Sequence, residues 1–140
     1  MNIDKFEQQH LAILRHIDNL RRLSRVGVDE NARAIAGEVV AMSSIIKLHL
    51  AAEDRALYPA LQRSGDAALA SLGTRFQTGM APIVEAFTAF AGRWNTEQRV
   101  RADAAGFRAA ANETLRCLWE RMRDEDRNFY PRVKAAAATV

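Results

Sequence analysis

His49 and Glu53 stand four residues apart in His49-Leu-Ala-Ala-Glu53-Asp54-Arg55-Ala-Leu-Tyr58-Pro59. On a helix that spacing turns both side chains to one face, and an imidazole beside a carboxylate is a ready pair of metal ligands. Most of the segment returns as Arg121-Met-Arg-Asp-Glu125-Asp126-Arg127-Asn-Phe-Tyr130-Pro131, at a constant offset of 72. Glu, Asp, Arg, Tyr and Pro recur in register, but Arg121 takes the place of the histidine. The second copy thus offers a carboxylate and a fixed positive charge where the first offers two ligands.

The elements that must carry these residues follow from the spacing of apolar positions. Ile3, Phe6, His10, Ile13, Ile17 and Leu20 form one stripe by alternating steps of three and four, predicting a first helix over 3–24. After a break at Gly27, with Asp29 as expected N-cap, a second stripe runs Ile35, Val39, Met42, Ile46, His49, Glu53 and Leu57, and Pro59 is expected to disrupt its end. Gln62 to Asp66 reads as a turn. A third stripe then passes Leu69, Leu72, Phe76, Met80, Ile83, Phe87, Phe90 and Trp94, with a kink expected at Gly79 and Pro82. Asn95-Thr-Glu breaks the chain again. The fourth stripe runs Phe107, Ala111, Thr114, Leu118, Arg121 and Glu125, closed by Pro131 and followed by an Ala-rich tail.

Four amphipathic helices joined by short breaks predict an all-α fold, an up-down-up-down antiparallel four-helix bundle, in one domain over 1–134 with a tail at 135–140. The two halves read as one helical hairpin used twice. Ile13, Ile17 and Leu20 match Ile83, Phe87 and Phe90 at an offset of 70, which sets His10 against Met80 and implies a pseudo-twofold axis.

Composition narrows the function. Seventeen of the 20 basic residues are Arg, but they are scattered among 17 acidic residues, so nucleic-acid binding is not expected. Charged residues interrupt each segment before the roughly 20 apolar positions a bilayer span requires, so no membrane segment is expected. Cys117 is the single cysteine and cannot close an internal disulfide, and the first residues lack the pattern of a secretion signal, which fits the cytoplasm. No Ser/His/Asp arrangement, phosphate loop or Cys-x-x-Cys supports hydrolase, nucleotide-binding or zinc-ribbon readings.

His10, His49, Glu53, Arg121 and Glu125 remain as polar interruptions of apolar stripes. A buried ionised carboxylate costs several kcal/mol unless compensated, so the two glutamates imply a metal ion, Arg121, or both. One arrangement is a structural network in which Arg121 neutralises Glu53 and Glu125. The other is a metal site built from two His and two Glu.

The chain resembles the hemerythrin-like, or HHE cation-binding, family over nearly its whole length. The resemblance rests on Gln9-His10-Leu-Ala-Ile-Leu, on His49-Leu-Ala-Ala-Glu53 followed by Leu-Tyr-Pro59, and on Glu125 followed by Phe-Tyr-Pro131. It implies a di-iron site inside a four-helix bundle, with one His from each helix and two bridging carboxylates, and His10, His49, Glu53 and Glu125 match that pattern. Met80 and Arg121 stand where the family pattern has His. The expectation is a half-degenerate site holding at most one iron ion per chain, Arg121 standing in for the other. A role in iron, oxygen or nitric-oxide sensing or in stress response follows from the resemblance, with a small diatomic ligand and a protein partner or second copy as partners. The alternative is a metal-free regulatory or interaction module. An enzyme has only open coordination positions in its favour. His16 is expected on the flank, Cys117 as a small buried thiol, and Tyr58 and Tyr130 as packing or capping residues before prolines.

Overall fold

The computed structural model describes residues 2–138, and these are helical apart from short connections. The elements are α1 (Asp4–Val26), α2 (Ala32–Ala52), α3 (Tyr58–Gln62), α4 (Ala67–Arg93), α5 (Glu97–Ala102), α6 (Ala104–Asp124) and α7 (Tyr130–Ala138). Two π-helical turns, Glu53–Leu57 and Glu125–Phe129, join α2 to α3 and α6 to α7 without a break. The all-helical expectation stands, with α5 as an element the stripes did not reveal. Helix α1 packs chiefly on α2, and α4 on α3 and α6.

Several helix ends differ from expectation. Asn31, not Asp29, stands at the N-cap position of α2; it makes no capping bond, and its amide instead donates back to Gly27 O at 2.9 Å, tying the turn to the end of α1. Asp66, Thr96 and Asp103 cap α4, α5 and α6 by accepting from the N–H groups of Leu69, Arg99 and Gly106. Gly65, at φ 79°, supplies the left-handed residue of the turn before α4.

The prolines do not end their helices. An α-helical path would drive the ring of Pro59 into the carbonyl four residues back and remove a hydrogen bond. The chain instead widens in the turn before it: Tyr58 N–H bonds to Glu53 O and, in the second copy, Tyr130 N–H bonds to Glu125 O. Each helix therefore carries on, to Gln62 and to Ala138. Positions 135–138 of the expected tail belong to α7, and 139–140 lie outside the described residues. Helix α4 is likewise continuous through Gly79 and Pro82.

The continuous stretch Ala32–Gln62 contains an 18-residue window of mean hydropathy 1.4, long and apolar enough by length and composition to cross a membrane. This corrects the expectation of no such segment, which overlooked how few charges lie between Glu38 and Glu53. Its Ile35, Val39, Met42 and Ile46 are buried in the interior instead, as in a core helix.

The core has two apolar clusters, one around Ile13, Ile17, Met42, Leu118 and Phe107, the other around Phe6, Leu57, Phe76, Phe129 and Tyr130. Along α1, His10 falls between Phe6 of one cluster and Ile13 of the other. Along α2, His49 falls between Ile46 and Leu57 in the same way. The polar residues thus form a layer separating two greasy ends.

Candidate metal centre

Helix α1 supplies His10, α2 His49, the end of α6 Arg121, and the first residue of each π turn Glu53 and Glu125. All five are buried, Arg121 the most exposed at 8%. His10 Nε2 and His49 Nε2 approach to 3.0 Å. Their other nitrogens turn away: His10 Nδ1 meets Asp126 Oδ1 at 2.8 Å and His49 Nδ1 meets Gln9 Oε1 at 2.7 Å. Both of those oxygens accept, so each Nδ1 carries the hydrogen and each neutral ring presents a bare lone pair at Nε2. Two lone pairs face to face repel unless a cation, proton or metal lies with them. Burial lowers the proton affinity of His10, but its hydrogen bond to Asp126 and the negative charge of Glu125 beside it outweigh that and push its pKa from 6.5 up to about 9.

Each histidine's inward nitrogen faces a carboxylate. Glu125 Oε1 lies 3.2 Å from His10 Nε2, and Glu53 Oε1 lies 3.2 Å from His49 Nε2. Neither oxygen has a hydrogen-bond partner although both are buried. Burial, partly offset by His10, raises the pKa of the Glu125 carboxyl. Donors at right angles around an ion at about 2.1 Å lie about 3.0 Å apart, so these separations fit a cation. His10, His49 and Glu125 form a group whose donor atoms all lie within 4.8 Å of one another. Glu53 lies outside that group: its Oε1 faces His49 and its Oε2 accepts from Tyr130 OH at 3.0 Å.

The second half of the repeat is built differently. Arg121 Nη2 donates to Phe76 O at 2.5 Å and to Glu125 Oε2 at 3.5 Å, and the guanidinium lies 4.9 Å from the centroid of the Phe76 ring. Gly79 leaves it room, since a Cβ there would come within 3.2 Å of Nη1. By the same offset of 70, Gly79 occupies the position of Gln9, which orients His49 in the first half. Tyr130 OH stands 3.1 Å from His10 Nε2, whereas the OH of its counterpart Tyr58 is buried without a partner. Tyr58 lines a groove with Met80, the counterpart of His10. With Met80 and Arg121 at these positions, the second half has a phenol without a partner beside Met80 and a glycine beside Arg121.

His16 bonds Glu38 on the flank at 2.5 Å, away from the centre. Cys117 is half-buried rather than buried. Gln9, Asp126 and Tyr130 touch the site although their sequence positions gave them no such role. The repeat held a signal for the last two, because Asp54-Arg-Ala-Leu-Tyr58 and Asp126-Arg-Asn-Phe-Tyr130 preserve both residues in register.

An all-helical protein with two histidines and a glutamate gathered in a buried layer offers a group of donors that could hold a cation. The chain belongs to the hemerythrin HHE cation-binding domain family, whose profile matches residues 1–133. No curated protein and no solved structure matches it significantly.

Proposed function

We propose that this protein binds one cation per chain, iron, through His10, His49, Glu53 and Glu125, within four long helical rods running up-down-up-down. The observation that supports this reading is the meeting of two imidazole lone pairs with two orphaned carboxylate oxygens. Asp126 and Gln9 orient the rings, as residues behind metal ligands commonly do. Arg121 takes the outer oxygen of Glu125 and fills the second position with a charge that repels another ion. A bound iron would supply redox and ligand-binding chemistry, with positions left for a small diatomic molecule, which fits a sensing role better than turnover. Elemental analysis of protein purified without chelators tests this, with one ion per chain expected and none in the His10→Ala, His49→Ala double variant.

A metal-free interaction module is the second reading, favoured by Arg121 and a protonated His10, which together can balance Glu53 and Glu125. Anaerobic ferrous titration separates the two: a module takes up no ion.

A further inference from the structure

Tyr130 has no assigned part in this centre, but its hydroxyl lies 3.1 Å from His10 Nε2 and 3.0 Å from Glu53 Oε2. Those are the separations that His10 keeps from His49, at 3.0 Å, and from Glu125, at 3.2 Å. Measured from His10 Nε2, the phenol oxygen therefore stands at the edge length of an octahedron with bonds of about 2.1 Å, while its bond to Glu53 goes to the oxygen turned away from His49. Its ring is held in place: it lies 5.1 Å from the His10 ring and 6.2 Å from Phe6, and the residue is fully buried.

Charge decides which ion would use it. Glu53 and Glu125 balance a divalent ion by themselves. A trivalent ion leaves one positive charge uncompensated, and unbalanced charge in an interior layer is costly. Arg121 adds to the excess, while Asp126, the nearest other acid, is already engaged with His10 Nδ1. The Tyr130 hydroxyl instead stands against His10 Nε2, the nitrogen that would face an ion, where a phenolate would add an anionic donor. It is also hard, as ferric ion prefers.

We propose that Tyr130 is a direct ligand to ferric ion at this centre. The proposal rests on the cation-binding reading above. On binding, the iron–oxygen bond forms, the phenolic O–H bond breaks and the proton leaves to solvent, with no change of oxidation state when iron is supplied as ferric ion.

Ferric phenolates absorb in the visible, whereas imidazole and carboxylate ligands alone give no such strong band. The protein is loaded from a ferric chelate, its iron content measured and its spectrum recorded. The expected result is one iron per chain with a visible charge-transfer band that Tyr130→Phe abolishes and Tyr58→Phe retains. Resonance Raman excitation into the band of the unmutated protein should enhance tyrosinate ring modes, a readout that does not depend on either variant folding. Iron bound at one per chain without the band, a band that survives Tyr130→Phe, or a band without tyrosinate modes overturns the proposal and leaves the cation site standing. Absence of iron uptake by the unmutated protein overturns both.

Discussion

Arg121 and Glu125 stand one helical turn apart, and the guanidinium holds one carboxylate oxygen at 3.5 Å while His10 meets the other at 3.2 Å. Glu125 is thus shared between a nitrogen ligand and a fixed cation. A carboxylate bridging two ions would be shared in the same way, with the guanidinium in place of one of them.

Supplying imidazoles at positions 80 and 121 should create a site for a second ion. Met80→His with Arg121→His is expected to raise iron from one towards two per chain on anaerobic ferrous loading, and to give the air-oxidised protein an oxo-bridged di-iron spectrum. Tyr58 OH, now without a partner, lies in the groove lined by Met80 and would gain an imidazole to bond. Arg121→His alone should gain less, because Met80 would still leave that side short of a nitrogen.

Removing the cation without replacing it exposes what it holds. Arg121→Ala leaves Glu125 buried beside a cavity, and breaking a buried ion pair costs about 3–5 kcal/mol. Urea denaturation of metal-free protein should show a loss of about 3 kcal/mol at near-constant m-value. Arg121→Lys, which keeps the charge but lacks the planar guanidinium that lies over the Phe76 ring, should fall between.

The polar layer was readable in the sequence because burial is periodic. His10, His49, Glu53, Arg121 and Glu125 interrupt apolar stripes, and all five are buried. Distance along the chain hid their partners: Asp126 reaches His10 across 116 residues and Gln9 reaches His49 across 40, and no helical periodicity links positions so far apart. Pro59 and Pro131 misled for a local reason. Proline stops an α-helix, and nothing in the residue pattern announced that a wider turn ahead of each would let the chain pass. Tyr130, expected to pack or cap, does pack against Phe6 and Phe129, but its hydroxyl also reaches His10 and Glu53, which its place before a proline did not announce.

Proton and metal compete for His10. Its pKa is raised from 6.5 to about 9, burial opposing and Asp126 and Glu125 favouring the charged ring. A raised pKa gives stability that is complete below pH 6.5 and is lost as pH rises through 9. The thermal midpoint of the metal-free protein should therefore fall across that interval, while metal affinity rises across it as Nε2 is freed. Scanning fluorimetry and competitive metal titration at several pH values check both trends, and His10→Gln should flatten the first.

The residues behind the ligands should matter where the third histidine does not. Asp126→Ala removes the acceptor that fixes His10 Nδ1 and should weaken metal binding by about 10- to 100-fold in calorimetric titration. His16→Ala breaks only the flank pair with Glu38, so affinity should be unchanged and stability should shift by about 1 kcal/mol or less.

Each π turn places a carboxylate at its start and a tyrosine just after its end, separated by an unvarying count of residues. One residue turns a regular helix by about 100°. An insertion or deletion between Glu125 and Pro131 would therefore swing Tyr130 off the centre as surely as mutating it, even at exposed Arg127 or Asn128. The connection around Ser64 and Gly65 can change length without that penalty. Chain length in these two short arms is thus a determinant of the centre in its own right, one that a comparison of side chains alone would miss.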